Sequence, residues 1–281
     1  MGDFLELLRV KHWVKNIFVL APSIFSENLF RVDLILPVLT TVLFFCLASS
    51  AVYIFNDLCD RGRDRLHSIK SKTRPLAAGR VTVRSASSMV TGLLLLLGIC
   101  VFWRLDIALI IGVYLLINVS YSMWLKDIPV VELFLVASGF PLRIYAGAVT
   151  IGVPITAWMF VTVLALALFL VCTKRLRELR DEGVSGSRPV LRAYTAETLS
   201  QYVQISSFSA LNIYCMYVIM QRADLFMTVP LVMFGFFRYF LIVTKSERGG
   251  DPTDVLWMDW LLLGTIGLCG LIIILVVGGV M

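Results

Sequence analysis

The chain has 281 residues, of which 59% are hydrophobic and 16% charged, with a mean hydropathy of +0.87. This excludes an ordinary soluble domain, and the net charge of +6 reads as the basic loops of a membrane protein rather than a nucleic-acid footprint. Two histidines, His12 and His67, are too few for a histidine-built metal site, and the six scattered cysteines lack C-x-x-C pairing and read as small core residues.

In chain order, residues 1–15 alternate Phe4, Leu5, Leu8 and Trp13 with Asp3, Glu6, Arg9 and Lys11 at helical period. An amphipathic helix lying in the membrane interface is expected there. It carries acids and no basic n-region, which argues against a cleavable signal peptide. Nine apolar spans are expected near 16–31, 34–55, 85–103, 106–123, 129–149, 154–173, 200–221, 226–244 and 257–279. The predicted fold is therefore an all-α integral membrane protein, one polytopic domain over 1–281, with charged cytosolic loops at 56–84 and 174–199. Of the 25 Lys and Arg residues, only Arg31, Arg104 and Arg222 fall in the connections opposite the N-terminus. The positive-inside rule then predicts a multi-pass plasma (inner) membrane protein with a cytoplasmic N-terminus and an extracytoplasmic C-terminus.

The stretch Asn56–Arg80, NDLCDRGRDRLHSIKSKTRPLAAGR, carries the most chemistry. At about 100° per residue, Asn56, Asp57, Asp60 and Asp64 share one helix face. Three carboxylates on one face repel unless a cation sits among them, and all-oxygen ligands suit Mg²⁺ bound together with substrate phosphates. The plainer reading, a solvated mixed-charge loop, competes with a metal–diphosphate site. Within the fifth span, Glu132 and Arg143 lie three turns apart, roughly 16 Å by helical rise, so each needs a separate partner or a polar cavity. Gly139 on the same face leaves room for a ligand or close packing. Arg238, near the end of the eighth span, suits snorkelling to the interface. Many cytosolic bases, among them Lys11, Lys15, Arg74, Lys126, Lys174, Arg175 and Arg192, can hold further phosphates. No Ser-His-Asp set, P-loop or dinucleotide fingerprint is present, so displacement driven by charge stabilisation is the expected reaction class.

Asn56–Asp64 resembles the NDxxDxxxD signature of the UbiA-type polyprenyltransferases, and the resemblance covers essentially the whole chain. The DxxxD motif of the aromatic prenyltransferases is missing after the fourth span, where Asp127 and Glu132 are five apart around Pro129. The segments Arg9–Asn16, Tyr121–Gly147, Thr173–Leu179, Arg238–Phe240 and Asp251–Asp254 are instead similar to the decaprenyl-phosphate phosphoribosyltransferase branch. That resemblance implies a nine-helix bundle around a central cavity open to the cytoplasm. It implies 5-phosphoribosyl diphosphate as donor, a polyprenyl phosphate as acceptor, Mg²⁺ as cofactor, and a product that feeds arabinan cell-wall synthesis. Asn56, Asp57, Asp60 and Asp64 are expected to hold the metal, with Asp57, Asp60, Asp64 and Lys126 at the catalytic centre. Arg74, Lys126, Lys174 and Arg175 are expected on substrate phosphates, Lys11, Lys15 and Arg143 on the lipid phosphate, and Glu132 on ribose. The expected partners are these two substrates and membrane lipid, with no nucleic acid, and a homo-oligomer is compatible with the sequence. An aromatic prenyltransferase of quinone or haem biosynthesis and a lipid transporter are the competing readings; the nearly uncharged outer connections speak against transport.

Overall fold

The computed structural model describes residues 2–26, 31–67, 70–182, 188–245 and 259–278. Every regular element among them is helical. Seven helices are long and apolar enough to cross a membrane: α3 (Val32–Leu66), α5 (Val83–Trp103), α6 (Leu105–Met123), α7 (Val131–Ile151), α8 (Ala157–Glu182), α9 (Ala196–Gln221) and α11 (Trp260–Val277). The apolar stretch Thr228–Val243 of α10 (Thr228–Lys245) is shorter. The chain is thus a multi-pass membrane protein; among the described residues, seven of the nine expected spans are helices long enough to cross a membrane. The difference lies chiefly at 16–31. There Val10–Leu20 winds as a 3-10 helix and Ala21–Phe25 as the short α2, while 27–30 lie outside the described residues.

The interfacial helix expected over 1–15 is also divided. Helix α1 (Gly2–Leu8) stops because Arg9 turns left-handed, with φ 51° and ψ 46°. The Arg9 amide still donates to Glu6 O at 3.1 Å and the His12 amide to Arg9 O at 2.8 Å, so the turn keeps its hydrogen bonds. Both predicted cytosolic loops are largely helical. Asn56–Leu66 continues α3, and α4 (Lys70–Thr73) follows. Thr173–Glu182 continues α8, and Pro189–Ala193 forms a 3-10 turn before α9. Side-chain caps fix several starts: Thr82 accepts from Ser85 N at 3.1 Å and Thr195 from Thr198 N at 3.0 Å. Gly152, at φ 70°, ends α7 in the left-handed conformation that favours glycine.

The chain forms two compact units. The first comprises Met1–Ala21, Arg31–Val153 and Gly186–Val190; the second comprises Pro22–Phe30, Pro154–Ser185 and Leu191–Met281. In the first unit, α3 packs against α5, α6, α7 and the Val10–Leu20 segment. Phe45, Ala48, Ile107, Tyr114 and Ala146 form its central apolar cluster, and Leu7, Ile54, Leu76, Val81 and Ala86 a second one under α1. Thr41 and Thr150 join α3 to α7 through an Oγ1–Oγ1 hydrogen bond of 2.8 Å. In the second unit α8 pairs with α9, α10 packs on α9 and α11, and Phe169 stacks edge-on against Phe236. Arg238 has a fixed partner. It forks onto Asp259 at 2.7–3.2 Å, and Asp259 also caps α11 by accepting from Leu262 N at 2.8 Å. The Arg238 hydrogen bond and the cap hold the Asp259 carboxyl below the usual carboxylate range.

Arg143 lies buried in the membrane-embedded part of α7. Its Nε donates to Asn16 Oδ1 at 2.7 Å, Nη1 to Gly139 O at 2.6 Å and Nη2 to Tyr114 OH at 3.1 Å. The guanidinium also stands 4.9 Å from the Tyr114 ring centroid. A β-carbon on Gly139 would meet Arg143 Nη1 at 3.1 Å, so the room left by glycine is filled by this side chain. Asn16 in turn donates to Cys46 Sγ at 3.2 Å and Ser49 Oγ at 3.3 Å, tying the 3-10 segment to α3.

Two outcomes test these contacts. Arg143→Leu alone strands the Asn16 carboxamide oxygen and is expected to cost about 1–3 kcal/mol, whereas Arg143→Leu with Asn16→Val removes both partners and recovers most of that loss. Thermal unfolding in detergent of the two variants decides it, and a double variant less stable than the single overturns the network. The Asp259 ion pair has a lowered folded-state pKa, so its contribution is present above about pH 4 and lost as pH falls through that lower value. Asp259→Asn should flatten the melting-temperature profile in that range.

Candidate active site

The site grows from the polar end of α3. Apolar residues up to Phe55 give way to Asn56–Asp64 on the same continuous helix, so the acids keep the helical register that their spacing predicts. Asp57 and Asp64 are buried, while Asn56 and Asp60 are half-buried. Asp57 Oδ1 accepts from Arg9 Nη2 at 2.5 Å and from Arg74 Nη1 at 3.1 Å. Arg74 Nη1 also reaches Asp64 Oδ2, so one guanidinium bridges two carboxylates seven residues apart. Asp60 Oδ1 accepts from Lys126 Nζ at 2.5 Å, and its Oδ2 from Asn56 Nδ2 at 3.1 Å. Ser122 of α6 donates to Asn56 Oδ1 at 3.3 Å. The repulsion among three carboxylates is thus offset by three cations drawn from three different segments.

Each cation is brought in by a local device. The left-handed turn at Arg9 swings its guanidinium back over Tyr53, 5.0 Å from the ring centroid, and onto Asp57. The α4 turn and the Pro75–Arg80 bend return the chain beside α3, with the Arg80 amide donating to Pro75 O at 2.9 Å, and this sets Arg74. Lys126 sits in the 3-10 turn Leu125–Asp127 between α6 and α7, buried down to its amine. That turn is also held by Asp127, which accepts a two-pronged bond from Arg63 at 3.0 and 3.2 Å. Beyond it, Val130 adopts φ 65°, an unfavourable conformation for a β-branched residue, immediately before α7 begins.

A shallow cleft, about 360 Å³ including open solvent, lies over this face, lined by Asp60, Arg63, Asp64, Lys70, Arg74, Lys126, Asp127, Arg188 and Pro189. Arg188 Nη1 donates to Tyr121 OH at 3.1 Å. Three acids and five bases line it together, which suits a polyanion carrying its own hard cation. Among the described residues, no group of three or more His, Cys, Asp and Glu is arranged to hold a metal ion alone. The donor set therefore fits Mg²⁺ bound through one or two carboxylates and completed by phosphate oxygens, and not an all-protein cage.

Of the expected site residues, the first unit gathers Asn56, Asp57, Asp60, Asp64, Arg74 and Lys126. Arg143 stands apart, engaged by Asn16, Gly139 and Tyr114. Glu132 is fully buried in the first turn of α7. Lys11 is exposed and Lys15 half-buried along the 3-10 helix. Lys174 and Arg175 belong to α8 in the second unit, where Arg175 is buried and pairs with Glu178 at 2.8 Å. The late Asp251–Asp254 segment lies outside the described residues. Arg9, Arg63, Lys70, Asp127 and Arg188 enter the site without having been singled out. Arg9 opens the Arg9–Asn16 segment, Asp127 lies in Tyr121–Gly147, and Arg63 and Lys70 lie in Asn56–Arg80, whereas Arg188 falls in none of these stretches.

The UbiA prenyltransferase family model matches residues 18–263. The chain belongs to the UbiA prenyltransferase family. Its fold agrees with a UbiA homologue of Archaeoglobus fulgidus bound to DMAPP and Mg²⁺, at a TM-score of 0.73 and 20% identity, over 99% of this chain and 98% of that one. A structure of digeranylgeranylglyceryl phosphate synthase aligns at a TM-score of 0.68 and 17% identity over 98% of both chains. Among curated relatives, the decaprenyl-phosphate phosphoribosyltransferase of Corynebacterium glutamicum is 34% identical over 198 residues, 68% of this UbiA-family chain and 59% of the relative. That of Mycolicibacterium smegmatis is 31% identical over 207 residues, 71% and 64%. The Mycobacterium tuberculosis protein of the same name is 29% identical over 273 residues, 92% and 89%. The match thus spans less than two thirds of the first two relatives and most of the third.

The Lys126–Asp60 contact can be measured. A double-mutant cycle of Asp60→Asn and Lys126→Met is expected to give a coupling of about 1.5–3 kcal/mol in thermal or denaturant unfolding, as for a charge-assisted bond shielded from water. Additive single effects would remove this pair from the account.

Proposed function

We propose that this chain transfers a 5-phosphoribosyl group from 5-phosphoribosyl diphosphate to a polyprenyl phosphate, with a decaprenyl phosphate acceptor as in the relatives' name, releasing diphosphate at the cytoplasmic side of the plasma membrane. The observation that carries it is the matched set of acids and bases around one cleft, where Asp60 and Asp64 face Lys126, Arg74 and Arg188. The similarity to decaprenyl-phosphate phosphoribosyltransferases supports the donor and acceptor classes. The basic loops on the side of the N-terminus support a cytoplasmic site and an extracytoplasmic C-terminus.

Asn56, Asp57, Asp60 and Asp64 would hold Mg²⁺, which when bound neutralises charge on the departing diphosphate. Arg74 and Lys126 then exchange a carboxylate for phosphate oxygens, keeping their charge compensated while they orient the donor. Arg63, Lys70 and Arg188 surround the space left for the second phosphate of the donor. Lys174 and Arg175 of the second unit are proposed as further phosphate contacts and Glu132 as a ribose contact. In the transfer, an oxygen of the acceptor phosphate forms the bond to the anomeric carbon. The bond from that carbon to the diphosphate oxygen breaks, and its electron pair leaves with diphosphate. An acceptor phosphate dianion carries no proton to remove, so the chemistry needs no general base. The product has the form of a lipid-linked precursor for arabinan cell-wall synthesis.

Aromatic prenyl transfer is the second reading, favoured by the fold shared with prenyl-diphosphate-binding structures. The Arg63–Asp127 fork disfavours it, because the acid after the fourth span is engaged by an arginine rather than available for a second metal.

Purified protein with Mg²⁺, labelled 5-phosphoribosyl diphosphate and decaprenyl phosphate should yield a labelled lipid. Asp60→Ala and Asp64→Ala should each lower turnover by about 100-fold or more while the protein remains folded. Absence of the lipid product, with activity on a prenyl diphosphate and an aromatic acid, overturns the proposal. Chelation of Mg²⁺ should abolish turnover reversibly.

A further inference from the structure

The polar end of α3 faces a second cleft besides the one that fits the donor. It is larger, about 1150 Å³ including open solvent, with Leu5, Glu6, Arg9, Lys11 and His12 along one side and Asp57 at its back. Arg74 belongs to both clefts. Its Nη1 donates to both Asp57 Oδ1 and Asp64 Oδ2, so it stands where the two clefts meet. We infer that this second cleft receives the phosphate head of the lipid acceptor, with the polyprenyl tail lying along the apolar side of α1 and the following 3-10 helix. The inference rests on the phosphoribosyl-transfer reading and adds where the nucleophile sits.

Three observations carry it. The first is charge. Arg9, Lys11 and Arg74 line the cleft, and its one acid besides Asp57, Glu6, pairs at 3.1 Å with Arg80, which also holds Asp3. Lys11 is exposed and has no ion pair or hydrogen bond among the described residues, so it can accept a phosphate without giving up a partner. The second is the apolar border. Phe4, Leu5, Val10 and Ile17 are all exposed next to these cations, the combination that places a segment at the headgroup boundary. The third is that the cleft is already shaped. Trp13 Nε1 donates to Ser50 Oγ at 2.9 Å, and Ser50 Oγ donates to Leu8 O at 2.9 Å, which fastens both sides of the Arg9 turn to α3. A phosphate beside Arg9 and Lys11 would share Arg74 with a donor in the first cleft. The acceptor phosphate and the donor are thereby brought beside the same side chain, at the edge the two clefts share.

Two measurements test it on the full chain in neutral-lipid nanodiscs. A decaprenyl phosphate bearing a photoactivatable group close to its phosphate should label the peptide spanning residues 2–12, and unlabelled decaprenyl phosphate should abolish that labelling. Inorganic phosphate at the same concentration should leave it in place, which separates a lipid headgroup from a free anion. Labelling confined to other helices, or equal competition by inorganic phosphate, overturns the inference whether or not the protein transfers phosphoribose. In the transfer assay, Lys11→Ala should raise the acceptor KM about tenfold with the donor KM unchanged, and Lys11→Arg should restore it. An unchanged acceptor KM in a folded Lys11→Ala protein also overturns it. If wild-type protein makes no phosphoribosyl lipid, the proposed activity fails, and the labelling pattern still decides the acceptor cleft.

Discussion

Three carboxylates on one face of one helix form the constraint on which the first unit depends. Asp57, Asp60 and Asp64 cannot be buried together without cations, and the chain delivers one from its N-terminus, one from the turn after α4 and one from the turn between α6 and α7. Those contacts make sequence-distant segments converge. The geometry of the Arg9 turn, of the Pro75–Arg80 bend and of the Leu125–Asp127 turn all serve to present a base to α3. Because the cations are internal, the carboxylates are balanced within the first unit itself, with no charge left bare in a dry place.

Much of this was legible in the sequence, for reasons that differ by element. The acidic face of α3 was readable because helical periodicity is a local property, and Asn56–Asp64 keep it after the apolar stretch ends. The long apolar helices were readable from length alone. The end of the membrane-spanning part of α3 and the end of its helix are different things, however: hydropathy reports only the first, and the spacing of Asn56–Asp64 is what carries the helix into the 56–84 connection. The region 16–31 was read as a span because it is apolar. Its 3-10 winding depends on Asn16 bonding to Cys46, Ser49 and Arg143, which are contacts over long sequence separations.

The cationic half of the site was only partly legible, and for the same reason. Basic residues are abundant in the connections between the apolar helices, and pattern alone does not say which of them turn toward the acids. Arg74 and Lys126 were singled out, while Arg9 needed a left-handed backbone that no local signal announces at an arginine. Arg143 shows the reverse. Its charge within a span suggested a ligand contact, yet Asn16, Gly139 and Tyr114 occupy its nitrogens. A buried polar residue marks a network first, and whether that network is structural or chemical is decided by what else points into it.

The length of α3 has a mechanical consequence. Its 35 residues make a rod of about 52 Å, well beyond the roughly 30 Å of a hydrocarbon core. From Pro37 onward the acids ride on the same continuous helix as the membrane-embedded residues. Any tilt or vertical slip of the shaft in a thicker or thinner bilayer is passed on directly to Asp57, Asp60 and Asp64. The height of the reaction centre above the lipid is thus coupled to the membrane itself. Such a protein is tuned to one bilayer as a gauge is set to one thickness.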